Sequence, residues 1–186
     1  MAGAPSAQRS QIAHTQAWVE RVVIGLNLCP FAKAPQVKGR IRYALTDAAT
    51  PQALLIDLVE ELALLTRTPA DEVETTLLIH PRVLTDFADY NAFLDTAEAA
   101  VTALQLDGVV QIASFHPQYQ FAGTAPDDVT NATNRSPYPL LHLIREQSID
   151  RAVAAFADAD TIYAANMATM RRLGPAAVAA LLASCR

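Results

Sequence analysis

Four side chains are best suited to chemistry: Cys29, His80, His116 and Arg135. Cys29 lies in Asn27-Leu28-Cys29-Pro30-Phe31, within a stretch that carries Arg21, Lys33, Lys38, Arg40 and Arg42 but no acid from Arg21 to Arg42. A thiolate forms at neutral pH where positive charge is close, so this setting suits a nucleophile or redox centre. The plainer alternative is a small buried hydrophobe. His80 and His116 share a context, Leu78-Ile79-His80-Pro81 and Ser114-Phe115-His116-Pro117. Proline cannot continue a ladder and holds its predecessor extended, so each imidazole should mark a strand end. There it could serve as a general base, with His116 the leading choice, or as a hydrogen-bonded structural residue. Residues 117–138 follow, a polar connection too long for an ordinary turn and predicted to be an ordered site loop. Within it, Arg135 between Asn134 and Ser136 could hold a carboxylate or phosphate, with Arg40 assisting and Asp127 and Asp128 nearby.

Such residues need a scaffold to meet on. Apolar spacing predicts a helix from Ser6 to Leu26, ending before Cys29-Pro30. Strands are expected over 41–46, 75–80 and 109–115, separated by helices over 50–66 and 84–106, the first opened by Thr50-Pro51 as cap and first-turn proline. The resulting β-α-β-α-β order implies an α/β fold: a small, mostly parallel three-stranded sheet covered by the N-terminal helix and by C-terminal helices over 138–147, 149–158 and 168–184. A ferredoxin-like arrangement with an unrecognised strand is the alternative. Parallel strands would bring His80 and His116 to one carboxyl edge, where ligands of open α/β sheets gather. His142 falls on the predicted 138–147 helix, three and four residues before Arg145 and Glu146, where an intrahelical network would explain it.

The chain has 186 residues, suited to a single domain over 1–186, and its 52% hydrophobic content is heavily alanine. No apolar run is long enough to span a bilayer, and the first residues lack the apolar core of a signal peptide. Two widely spaced cysteines suggest neither a disulfide framework nor a paired metal motif, which points to a cytoplasmic location. The net charge of −5 argues against a nucleic-acid partner, and no membrane partner is expected. Charge is segregated: residues 1–46 carry a net +5 and residues 47–110 a net −10, the latter read as solvated helix faces.

The segments GLNLCPFAK (25–33), TTLLIHP (75–81), ASFHPQYQFAGTAPDD (113–128) and TNRSPYPLLHLIRE (133–146) resemble domain-of-unknown-function family 1415. The resemblance spans nearly the whole chain and implies a single-domain bacterial protein. It carries no activity with it, although its motifs contain Cys29, His80, His116, Asp127, Asp128, Asn134, Arg135, Ser136 and His142.

Three functions follow from these residues. The leading expectation is a cytosolic enzyme acting on a small anionic molecule, with Cys29 as nucleophile or redox centre and His116, with His80, as acid–base groups. Arg135, Asn134, Ser136, Asp127, Asp128 and Arg40 would bind the substrate. The second is a zinc or iron enzyme using the divalent metal ligands His80, His116 and His142, with Cys29 or Asp127. The third is a non-catalytic metabolite-binding or regulatory module, in which the alanine-rich C-terminal helices would serve self-association as a homo-oligomer or partner docking.

Overall fold

Thr75–Ile79 is the strand around which the rest is arranged, and all five of its residues are buried. In the computed structural model, which describes residues 4–153 and 159–186, this strand (β2) pairs on one side with β1 (Ile41–Leu45) in parallel. On its other side it meets β4 (Leu140–Arg145) antiparallel, and β4 pairs antiparallel with β3 (Val110–Phe115). The sheet therefore has four strands in the order β1-β2-β4-β3, with one parallel pair and two antiparallel pairs. The expected α/β character holds, but the three-stranded, mostly parallel sheet does not.

The added strand is the segment expected as a helix over 138–147. Leu140-Leu141-His142-Leu143-Ile144 is apolar on every side, so it fits a buried helix or a central strand equally well by composition. In the structure it is a strand covered on both faces. Leu141 and Leu143 enter one core, while Leu140 enters the other. His142 thus stands on a strand, and the helical network with Arg145 and Glu146 is replaced by alternation, with neighbours pointing to opposite faces. The ferredoxin-like alternative allowed for an extra strand, but β4 follows β3 directly instead of fitting the β-α-β-β-α-β order.

Two helical layers enclose the sheet. Helices α3 (Pro51–Arg67) and α4 (Phe87–Ala103) cover one face through Leu54, Leu58, Leu62, Leu65, Tyr90 and Phe93. Thr50 caps α3 by accepting a hydrogen bond from the Ala53 N–H, as its sequence predicts, and Asp86 caps α4. Arg145, at the end of β4, donates to the carbonyls of Leu65, Thr68 and Val73, tying the sheet to the C-terminus of α3 and the chain beyond it. The opposite face packs against α1 (Ala4–Trp18), the π-helical segment Val19–Ile24 that continues it, and α6 (Ala159–Ala183). A short helix α2 (Lys33–Val37) precedes β1, and α5 (Glu146–Val153) follows β4. Of the helix expected over 149–158, residues 154–158 lie outside the described residues. The helix expected over 168–184 falls within α6, which is interrupted by a left-handed Gly174 ahead of Pro175.

Candidate functional site

Because β3 and β2 both run opposite to β4, they point the same way, and His80 and His116 do reach one edge of the sheet. Both imidazoles lie on the α3/α4 side and flank Tyr90, with ring centroids 5.7 and 5.0 Å from it. Both are fully buried. Nδ1 of His80 faces the Val83 carbonyl at 3.1 Å, and Nε2 of His116 faces the Leu84 carbonyl at 3.2 Å. Gln118 N–H donates to Nδ1 of His116, so Nε2 carries that ring's proton. The two rings thereby hold consecutive carbonyls of the β2–α4 connection, in which Leu84 takes a left-handed φ of 54°. Burial pushes the His80 imidazole down to about 4 and lowers that of His116, so both are neutral at pH 7. Among the described residues, His80 Nε2 has no hydrogen-bond partner.

The 117–138 connection is bonded largely to itself. The buried Asn131 accepts from Phe121 N–H and Thr124 Oγ1 and donates to the Ala125 carbonyl. Tyr119 packs on Phe87, and Tyr138 hydrogen-bonds His14. Asp128 caps the 3-10 turn Val129–Asn134, and its bonds from Thr130 hold its carboxyl below the usual range. Asn134 donates to the Ser114 carbonyl. Arg135, Ser136 and Asp127 share a groove of about 420 Å³ with Arg186 and the far end of α6. Arg135 donates there to the Tyr119 and Pro126 carbonyls, and Ser136 donates to Tyr138. Arg40 lies in none of these places: it precedes β1, where its carbonyl accepts from Glu74 N–H.

Cys29 is elsewhere. It lines a cavity of about 490 Å³ on the opposite face of the sheet, near the ends where β1 and β2 begin. The floor is Ile41, Leu77, Ala113 and Phe115 from three strands, together with His142 and Ile144 of β4. The walls are Trp18, Val19 and Val23 from α1 and the π-helical segment, and Cys29 to Ala32, Ala34 and Pro35 from the chain that follows. A π-helical stretch is rare and tends to occur where a helix has been reshaped around a site. Here it depends on Gly25, which adopts an ordinary helical φ of −61°. A Cβ at this position would run into the Arg21 carbonyl, so glycine is required by the close approach.

The polar groups of the cavity are few. Thr75 Oγ1 donates to the Leu143 carbonyl at 2.6 Å and lies 2.7 Å from His142 Nε2. A hydroxyl has one proton, so the imidazole must supply the other: His142 carries its hydrogen on Nε2 and keeps a lone pair on Nδ1. Burial pushes His142 down to about 4, leaving it neutral at pH 7. Burial also pushes the Cys29 thiol up, against the smaller opposing effect of the Phe31 and Ala32 N–H groups. The cations near it in sequence do not line the cavity. Arg21 donates to the Ser184 carbonyl and Arg42 forms a bidentate pair with Glu61.

The structure therefore splits the sequence-predicted site into three places: the imidazoles of His80 and His116, the groove of Arg135, and the cavity of Cys29 and His142. His80, His116 and His142 do not form one ligand set, and among the described residues no group of three His, Cys, Asp or Glu side chains is arranged to hold a metal ion. Thr75, Trp18 and Phe115 are cavity residues that sequence reasoning missed. For Thr75 and Phe115 the signal would have been the period-2 alternation of β2 and β3, which puts every second residue on this face, whereas Trp18 sits at the end of α1, where helical spacing beside Val19 and Val22 is the corresponding signal. No helix among the described residues is long and apolar enough to cross a membrane. No curated protein and no solved structure matches the chain. A family model described as a protein of unknown function (DUF1415) matches residues 10–180, nearly the full length, and the chain belongs to that family.

Proposed function

We propose that this protein binds a small, largely apolar molecule in the cavity between the sheet and the π-helical segment. The observation that carries this reading is a cavity of about 490 Å³ lined by Trp18, Phe31, Phe115 and aliphatic side chains, with a part-buried imidazole among its few polar groups. Small-molecule sites have this size and this mixture of apolar wall and sparse polar groups. The expectation of an anionic substrate attacked by a Cys29 thiolate fits the cavity less well. Among the described residues its lining contains no Lys or Arg, and burial holds the thiol in its protonated form. Arg135 and Cys29 line different cavities, so one small guest would not touch both.

Trp18 provides the test, because it is the only tryptophan in the chain and it lines the cavity. Adamantanemethanol is an uncharged cage without a chromophore that would mask tryptophan emission. It should change Trp18 fluorescence saturably and raise the melting temperature as a ligand of the folded state does. Ala113→Phe, which projects a ring from the cavity floor, should abolish both responses while the variant stays folded. No saturable change with the wild-type protein, or an unchanged response in Ala113→Phe, refutes the reading.

A further inference from the structure

We infer that the cavity selects uncharged molecules that carry one O–H or N–H donor, and that His142 Nδ1 is the atom that receives it; this rests on the cavity reading above. The argument is one of proton counting. Thr75 Oγ1 spends its single hydrogen on the Leu143 carbonyl, which obliges His142 to donate through Nε2. Among the described residues, no protein group donates to Nδ1, and His142 lines the cavity. A bound molecule therefore meets an acceptor there. In an apolar environment an acceptor discriminates strongly, since a buried donor that finds it is satisfied and a buried acceptor facing it is not.

Charge narrows the class further. Among the described residues, Glu74 is the one charged side chain lining the cavity, and no described Lys or Arg offsets it. A ligand carboxylate would lose its hydration and gain repulsion in return. The lone pair of Nδ1 would oppose it as well.

A matched series tests this by isothermal titration calorimetry at pH 7: para-tert-butylphenol, para-tert-butyltoluene and para-tert-butylbenzoate, which share one apolar body. The phenol should bind more tightly than the toluene, by at most about fivefold, the ratio a net hydrogen bond of about 1 kcal/mol produces before burial of the toluene's methyl is set against it. The benzoate should bind most weakly. In His142→Phe the order of phenol and toluene should reverse, because the hydroxyl is then buried without a partner. Equal or tighter binding of the toluene by the wild type, or tightest binding of the benzoate, overturns this inference and leaves the cavity reading intact. A phenol preference retained in folded His142→Phe overturns the assignment to His142. If none of the three binds, the cavity reading fails and this inference with it. The wild-type series decides by itself if His142→Phe does not fold.

Discussion

Replacing Thr75 by valine should both weaken the fold and turn over the His142 tautomer. Thr75 is 7% exposed, and its hydroxyl joins Nε2 of His142 to the carbonyl of Leu143. Valine has nearly the same shape and can make neither bond. Two buried hydrogen bonds at about 0.5–1.5 kcal/mol each amount to a loss of roughly 1–3 kcal/mol. The methyl that takes the place of the hydroxyl returns about 0.8 kcal/mol through apolar burial. The net expectation is a loss of about 0.2–2.2 kcal/mol, centred near about 1 kcal/mol. With a urea slope of about 2–3 kcal/mol/M, the unfolding midpoint should fall by about 0.5 M, followed through Trp18 emission. An Nε2–H facing valine is an orphaned donor, whereas a proton moved to Nδ1 lies on the nitrogen that the proposed ligand contact uses, where water or a ligand can accept it. Nitrogen-15 spectra of the imidazole should therefore report Nε2–H in the wild type and a shift toward Nδ1–H in Thr75→Val. A wild-type spectrum dominated by Nδ1–H would refute the proton count on which the site rests, as would a Thr75→Val midpoint equal to that of the wild type.

Stability should also depend on mildly acidic pH. His80 and His142 are pushed down to about 4 by burial, against about 6.5 in an unfolded chain, so the unfolded state binds more protons between those values. Their contribution is complete above pH 6.5 and is lost as pH falls toward 4, on the order of 3 kcal/mol for each histidine; urea midpoints that stay constant from pH 7 to pH 5 would contradict it. Gly25→Ala should cost about 1–3 kcal/mol, because its Cβ meets the Arg21 carbonyl and the π-helical wall must shift. Chemical denaturation would measure that loss, and a variant as stable as the wild type would show that the wall tolerates a side chain there.

Much of the framework was legible locally. The Thr50-Pro51 cap, the leucine stripe of α3 and the β-prone runs at 41, 75 and 110 each use a signal contained within a dozen residues, and each element lies within a few residues of its expected place. The His-Pro strand ends also placed both imidazoles at one edge. Leu140–Arg145 was misread because a strand buried on both faces loses the alternation that distinguishes it from a buried helix. That single exchange moved His142 from a helix to the floor of the cavity.

The sequence by itself determined the first three strands and the helices between them, the His-Pro strand ends and the long connection, because periodicity, capping and proline act over short distances along the chain. Only the tertiary structure decided that β4 slots between β2 and β3, that Cys29 shares a cavity with His142, and that Arg135 faces a different groove. Strand neighbours are chosen by long-range pairing that residues 140–145 do not encode alone. The ionisation of Cys29 followed the same logic. Nearby cations in the chain predicted a lowered pKa, but Arg21 and Arg42 fold onto other partners. What packs around the thiol is apolar, and desolvation prevails.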